Sequence, residues 1–169
     1  MLLLAVLLLI FVQDIISRSV YWIAFPLLAV LLVVFRLLNL QRIPVITETV
    51  LVNTGFLLFQ FLLVSAWFSF KQGKWTNITM GLLGWGDILF LVCISLYLSV
   101  ANFLLFYISS LIAVLLTWLG YQLVAKSKDL KIPLAGLQAL FFIAILLFTW
   151  WWIPYDLTSD DWLVNNFWR

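Results

Sequence analysis

The chain reads as an all-α, polytopic membrane protein with about six transmembrane helices, and three observations lead there. Hydrophobic residues fill 66% of its 169 positions and charged residues only 9%. A soluble domain coats itself with roughly a quarter charged residues, so lipid must be the main solvent here. Apolar segments recur at roughly residues 1–16, 20–40, 46–70, 82–98, 100–124 and 132–153. Most reach the ~20 residues a helix needs to cross a bilayer, and an open chain can satisfy its backbone in lipid only as helix. Finally, every lysine falls between these segments.

The first segment, "MLLLAVLLLIFV", has no basic residue before Arg18 and no A-x-A pattern. It is therefore read as a retained, rather short membrane helix and not as a signal peptide. The third carries Asn53 and Gln60, seven apart and so on one face. In lipid both need partners, which points them into the bundle. The break between the fourth and fifth segments rests on "LYLSVANF", where Ser99 and Asn102 are the only polar residues. Six helices with a tight turn there is the preferred reading, and five helices the alternative. The sixth segment ends in Trp150, Trp151 and Trp152, which suit an interfacial belt.

Six helices make the loops alternate. One side then holds Arg18, Lys71, Lys74, Lys126, Lys128 and Lys131, and the other Arg36, Arg42 and Arg169. The excess of basic residues makes the first side cytoplasmic and puts both termini outside. No internal repeat or linker divides residues 1–169, so a single transmembrane domain is expected.

Composition also excludes chemistry. The chain has no histidine and one cysteine, Cys93. Histidine bases, HExxH metal sites, an internal disulfide and a cysteine zinc site are all ruled out. No metal and no cofactor is expected. Basic residues do not interleave with aromatics in a soluble segment, so nucleic acid is not an expected partner.

The acids carry more. Asp14 closes the first helix and Asp87 opens the fourth, both on the cytoplasmic side of this topology. Asp129 lies in the lysine-rich loop "KSKDLK", while Glu48, Asp156, Asp160 and Asp161 belong to the outer side. Each of the first two has a plain reading. Asp14 can pair with Arg18 one turn on, and Asp87 can cap its helix. Capping alone, however, does not require the glycines Gly81, Gly84 and Gly86 that precede Asp87 in "TMGLLGWGDILF", since they raise the entropy cost of ordering the segment. Two facing carboxyls share one proton. The ionised one can take a proton from water while the protonated one polarises an amide carbonyl.

"GWGD", residues 84–87, matches the G-x-G-D signature of membrane aspartyl proteases, and with Gly81 and "ILF" it resembles the type IV prepilin peptidase family. "VQDIISRSVYW" resembles that family's first catalytic aspartate and the basic loop after it. "KSKDLKIPLAGLQALFF" resembles a later segment in which a basic loop runs into Ile132, Pro133 and a small-residue helix start at Gly136. The chain departs from the pattern at Val20, Tyr21 and Trp22, in place of Ile-Pro-Asn, at Leu89, in place of a lysine, and at Gly136, in place of a second proline. It lacks a cysteine-rich insert. It is most similar to the minimal members, the archaeal preflagellin peptidases and the tight-adherence pilus peptidases. The resemblance implies Asp14 and Asp87 as the catalytic pair and Gly81, Gly84, Gly86, Ile132 and Pro133 as motif or substrate-binding residues. It implies cleavage of the basic leader of a prepilin-like protein at the cytoplasmic membrane face. A non-enzymatic scaffold of a pilus or secretion system, or a small proton- or cation-coupled transporter subunit, are the competing expectations.

Overall fold

The computed structural model describes residues 1–38, 43–72, 84–125, 132–152 and 155–162. Among these residues the structure is all-helical, with six helices in chain order: α1 Leu2–Ser17, α2 Ala24–Leu38, α3 Ile43–Gln72, α4 Trp85–Ser95, α5 Val100–Ala125 and α6 Leu134–Trp151. The preferred six-helix reading therefore holds at the level of helices. The weak break at Ser99 is a real turn, because Leu96 and Tyr97 close tight bonds onto Cys93 and Ile94, and Phe103 restarts the helix on the Ser99 carbonyl.

Three of the helices are long and apolar enough to cross a membrane: Val45–Lys71, Val100–Leu123 and Leu134–Trp151. The other three are apolar but short. At 1.5 Å per residue the 11 residues of α4 span about 16 Å, against about 45 Å for the 30 residues of α3.

Packing sorts the helices into an inner ring and two flanking members. Helix α1 packs on α6 and α2, while α4 packs on α2, α3 and α6; α5 lies against α6 and α3. The ring α1–α2–α4–α6 interlocks through Leu7, Ile10, Leu28, Leu32, Phe90, Ile94, Phe142 and Leu146, all fully buried. Most of α3 and α5 remains uncovered, with apolar side chains such as Leu51, Leu62, Leu116 and Leu123 turned outward. This is the expected surface of helices solvated by lipid.

Short α4 ends inside the bundle, so its last carbonyls need donors. Asn53 on α3 donates from Nδ2 to the carbonyls of Ser95 and Leu98, at 3.2 and 3.0 Å. Arg36 on α2 donates from Nη1 to the Leu96 carbonyl at 2.9 Å. The charge tally treats Arg36 as a loop residue; it lies instead in the last turn of α2 with no exposed surface. A guanidinium at a helix C-terminus satisfies orphan carbonyls and opposes the negative end of the helix dipole. Gln60 faces Tyr107 on α5, so Asn53 and Gln60 both turn toward neighbouring helices.

Residues 155–162 fold back as a strap over the α4–α5 turn. Asn102 is its anchor: Nδ2 donates to the carbonyls of Leu157 and Ser159, and Oδ1 accepts from Tyr155 Oη and Trp162 Nε1. Asp160 accepts the Ala101 N–H at the start of α5, at 3.3 Å.

Candidate active site

The first turn of α6 is where the site is assembled. A helix begins with N–H groups that have no partner inside it, and here each one can be traced. Leu134 N–H donates to the Ile132 carbonyl and Leu137 N–H to the Pro133 carbonyl. Ala135 N–H donates to Asp87 Oδ1 at 2.8 Å, and Gly136 N–H to Asp14 Oδ2 at 2.6 Å. Two consecutive amides thus hold one carboxyl each, from residues 48 and 122 positions away in the chain. Consecutive Cα atoms are about 3.8 Å apart, so the carboxyls are neighbours. Two carboxylates this close repel each other when both are ionised.

Each acid is fixed by its own element. Asp14 is in the last turn of α1, buried, and its carbonyl accepts the N–H of Arg18, whose left-handed conformation (φ 50°) ends the helix. The turn that follows is tied back onto α1, because Gln13 Oε1 accepts the Tyr21 N–H and Ser17 Oγ donates to the Gln13 carbonyl. Asp87 is half-buried in the first turn of α4. Its Oδ2 accepts the N–H of the N-cap Gly84 at 3.0 Å. The capping role open to Asp87 from sequence is therefore real, and it occupies one oxygen; the other oxygen reaches across to α6.

Of the four carboxyl oxygens, three accept backbone N–H groups. Asp14 Oδ1 accepts none from the described residues. Among the described residues, Arg18 is a cation whose charge favours the Asp14 anion. Among the described residues no three potential metal ligands cluster.

The glycines divide by role. A Cβ on Gly84 would lie 3.2 Å from Asp87 Oδ2, pressing on the carboxyl that caps it. A Cβ on Gly86 would meet only Phe25 Cζ, at an ordinary 3.5 Å. Gly81 lies outside the described residues. Ile132 and Pro133 shape the entry to α6: Pro133 is its N-cap, has no N–H of its own, and leaves the next amides pointing at the acids. Their neighbour Ala135 is a site residue that sequence reasoning missed, and Gly136, noted from sequence only as a small-residue helix start, proves to donate to Asp14. Gly136 is the most confined of the described glycines, since a Cβ would come within 2.9 Å of Asp14 Cβ and 3.2 Å of the Phe11 carbonyl oxygen. The signal for them was the Ile-Pro step followed by small residues, which marks a helix start that something approaches closely.

Chemically, the arrangement can hold two carboxyls side by side, sharing a proton, at a mouth formed by three helix ends. Compared with protein-family models, curated sequences and solved structures, the chain matches none.

Proposed function

We propose that the chain is a membrane aspartyl endopeptidase in which Asp14 and Asp87 activate water against a peptide bond. The observation that carries this reading is the seating of both carboxyls on consecutive amides of α6. A solvated boundary residue and an ordinary cap have no reason to converge on one helix turn. Side by side, one carboxyl ionises and the other keeps its proton. The ionised group takes a proton from water and the protonated group donates to the scissile carbonyl oxygen.

The short helices support the same reading. Proteolysis needs water, which a lipid-filled site excludes. Helices α1, α2 and α4 are shorter than the roughly 20 residues that cross a bilayer comfortably. In this reading water reaches the acids at the ends of the short helices α1 and α4. In this reading all six helices belong to the membrane, the acids face the cytoplasm and both termini lie outside. The membrane is the cell membrane.

The substrate is a prepilin-like protein, whose basic leader would approach the acids and whose apolar helix would stay in lipid. This rests on the resemblance of "GWGD", "VQDIISRSVYW" and "KIPLAG" to the prepilin peptidase pattern. The test is leader cleavage in detergent with a matched prepilin. Asp14→Asn and Asp87→Asn should each abolish it with membrane insertion intact, and Asp129→Asn should keep most of it. Cleavage at the parent rate by either dyad variant would remove the mechanism and favour a non-enzymatic scaffold.

A further inference from the structure

We infer that the shared proton resides on Asp14, making Asp14 the acid and Asp87 the base of the pair. This deepens the peptidase reading and rests on it for its catalytic meaning, though the proton's place is a property of the free protein.

The argument is electrostatic and comes from helix ends. The N-terminus of a helix carries partial positive charge and favours an anion, while its C-terminus carries partial negative charge and disfavours one. Asp87 lies at two N-termini. It is in the first turn of its own helix α4, and its Oδ1 is on the first turn of α6. Asp14 lies at one of each. Its Oδ2 is on the first turn of α6, but its own position is the last turn of α1.

Hydrogen bonds rank the two acids in the same order. A backbone N–H can only donate, so each bond it makes to a carboxyl favours the ionised form. Asp87 accepts on both oxygens, from Gly84 and Ala135. Asp14 accepts on one, and Oδ1 is the only carboxyl oxygen of the pair with no donor among the described residues. A proton on Oδ1 displaces no bond from a described residue. A proton on either oxygen of Asp87 weakens one.

Among the described residues, the charges that face Asp14 are few. Arg18, one turn on along α1, favours its anion, but from an exposed position where solvent screens it. The repulsion between the two carboxylates is mutual and ranks neither above the other. The described parts of α2 and α6 bring no charged group to the pair, since Arg36 is at the far end of α4. Two favourable helix ends against one favourable and one unfavourable correspond to a preference of about tenfold.

The proton then has a defined itinerary. In the attack, water loses a proton to Asp87 as its oxygen bonds to the scissile carbon, and Asp14 gives its proton to the carbonyl oxygen. Collapse of the tetrahedral species returns a proton from Asp87 to the departing amine and one from the gem-diol to Asp14. The C–N bond breaks and the starting protonation is restored.

Carbodiimide modification tests this without a substrate, because it adds only to protonated carboxyls. The full chain in detergent is treated with a hydrophobic carbodiimide over a pH series, and modified peptides are resolved by mass. Acid conditions, where both groups carry protons, should label both and calibrate access. As pH rises, label should disappear from Asp87 first and persist on Asp14, with about a tenfold excess on Asp14 in the intermediate range. The reverse order, or simultaneous loss, overturns the assignment. If acid labels neither, carbon-13 shifts of the aspartate carboxyls read the same order, with Asp14→Asn and Asp87→Asn assigning the signals. A chain that labels in the expected order yet cleaves no leader loses the peptidase reading and keeps the proton assignment.

Discussion

Replacing Gly136 with alanine should separate activity from stability. The new Cβ would lie 2.9 Å from Asp14 Cβ, 3.1 Å from its Oδ2 and 3.2 Å from the Phe11 carbonyl oxygen. Carbon atoms rest at about 3.5–4.0 Å, so Asp14 must retreat by about 0.6 Å or more. The 2.6 Å bond from Gly136 N–H to Asp14 is then stretched toward the limit of a useful hydrogen bond. Overpacking of this kind costs about 1–3 kcal/mol, but alanine is the better helix former by about 1 kcal/mol, so net stability should fall only modestly. Activity has no such offset. Displacing a reacting group by about 1 Å costs up to about a hundredfold, and we expect cleavage to fall roughly ten- to a hundredfold. The assay pairs leader cleavage with thermal unfolding on the same purified variants. Gly120→Ala serves as the control, because a Cβ there meets nothing within 4 Å. Gly136→Ala that cleaves at the parent rate with unchanged stability would refute the claim that the α6 turn positions Asp14.

Three further outcomes follow from the same geometry. Gly84→Ala should slow cleavage several-fold by pressing on Asp87 Oδ2, whereas Gly86→Ala should be mild, and kinetics on the two variants decide whether space at residue 84 or at residue 86 matters. Asn102→Ala removes all four side-chain bonds that anchor the strap, each worth about 0.5–1.5 kcal/mol; limited proteolysis should then cut within residues 155–162 while leaving the bundle intact. Asn53→Ala leaves the Ser95 and Leu98 carbonyls without that donor, and a loss of about 1–3 kcal/mol should appear in thermal unfolding, with an unchanged unfolding profile counting against a role for Asn53 in holding α4.

The sequence by itself determined the helical elements and pointed to lipid as their solvent. With 66% hydrophobic residues, backbone satisfaction in lipid leaves only helices, and the observed bounds follow the apolar segments within a few residues. Even the tight turn at Ser99 was legible, because a polar pair inside an otherwise continuous apolar run has to find hydrogen bonds. The glycines and Asp87 marked one half of the candidate site, and Asp14 the other. Only the tertiary structure decided what joins them. The unpaired amides at the start of α6 are a property of every helix, so no side chain in "IPLAG" announces that two distant carboxyls will land there. The burial of Arg36 was hidden for a related reason. Its partner is a backbone carbonyl, Leu96 on another helix, and the need for a donor arises only because α4 stops short inside the bundle. Periodicity and composition describe each segment against its solvent, whereas the acceptors and donors left at helix ends are matched only when the segments meet.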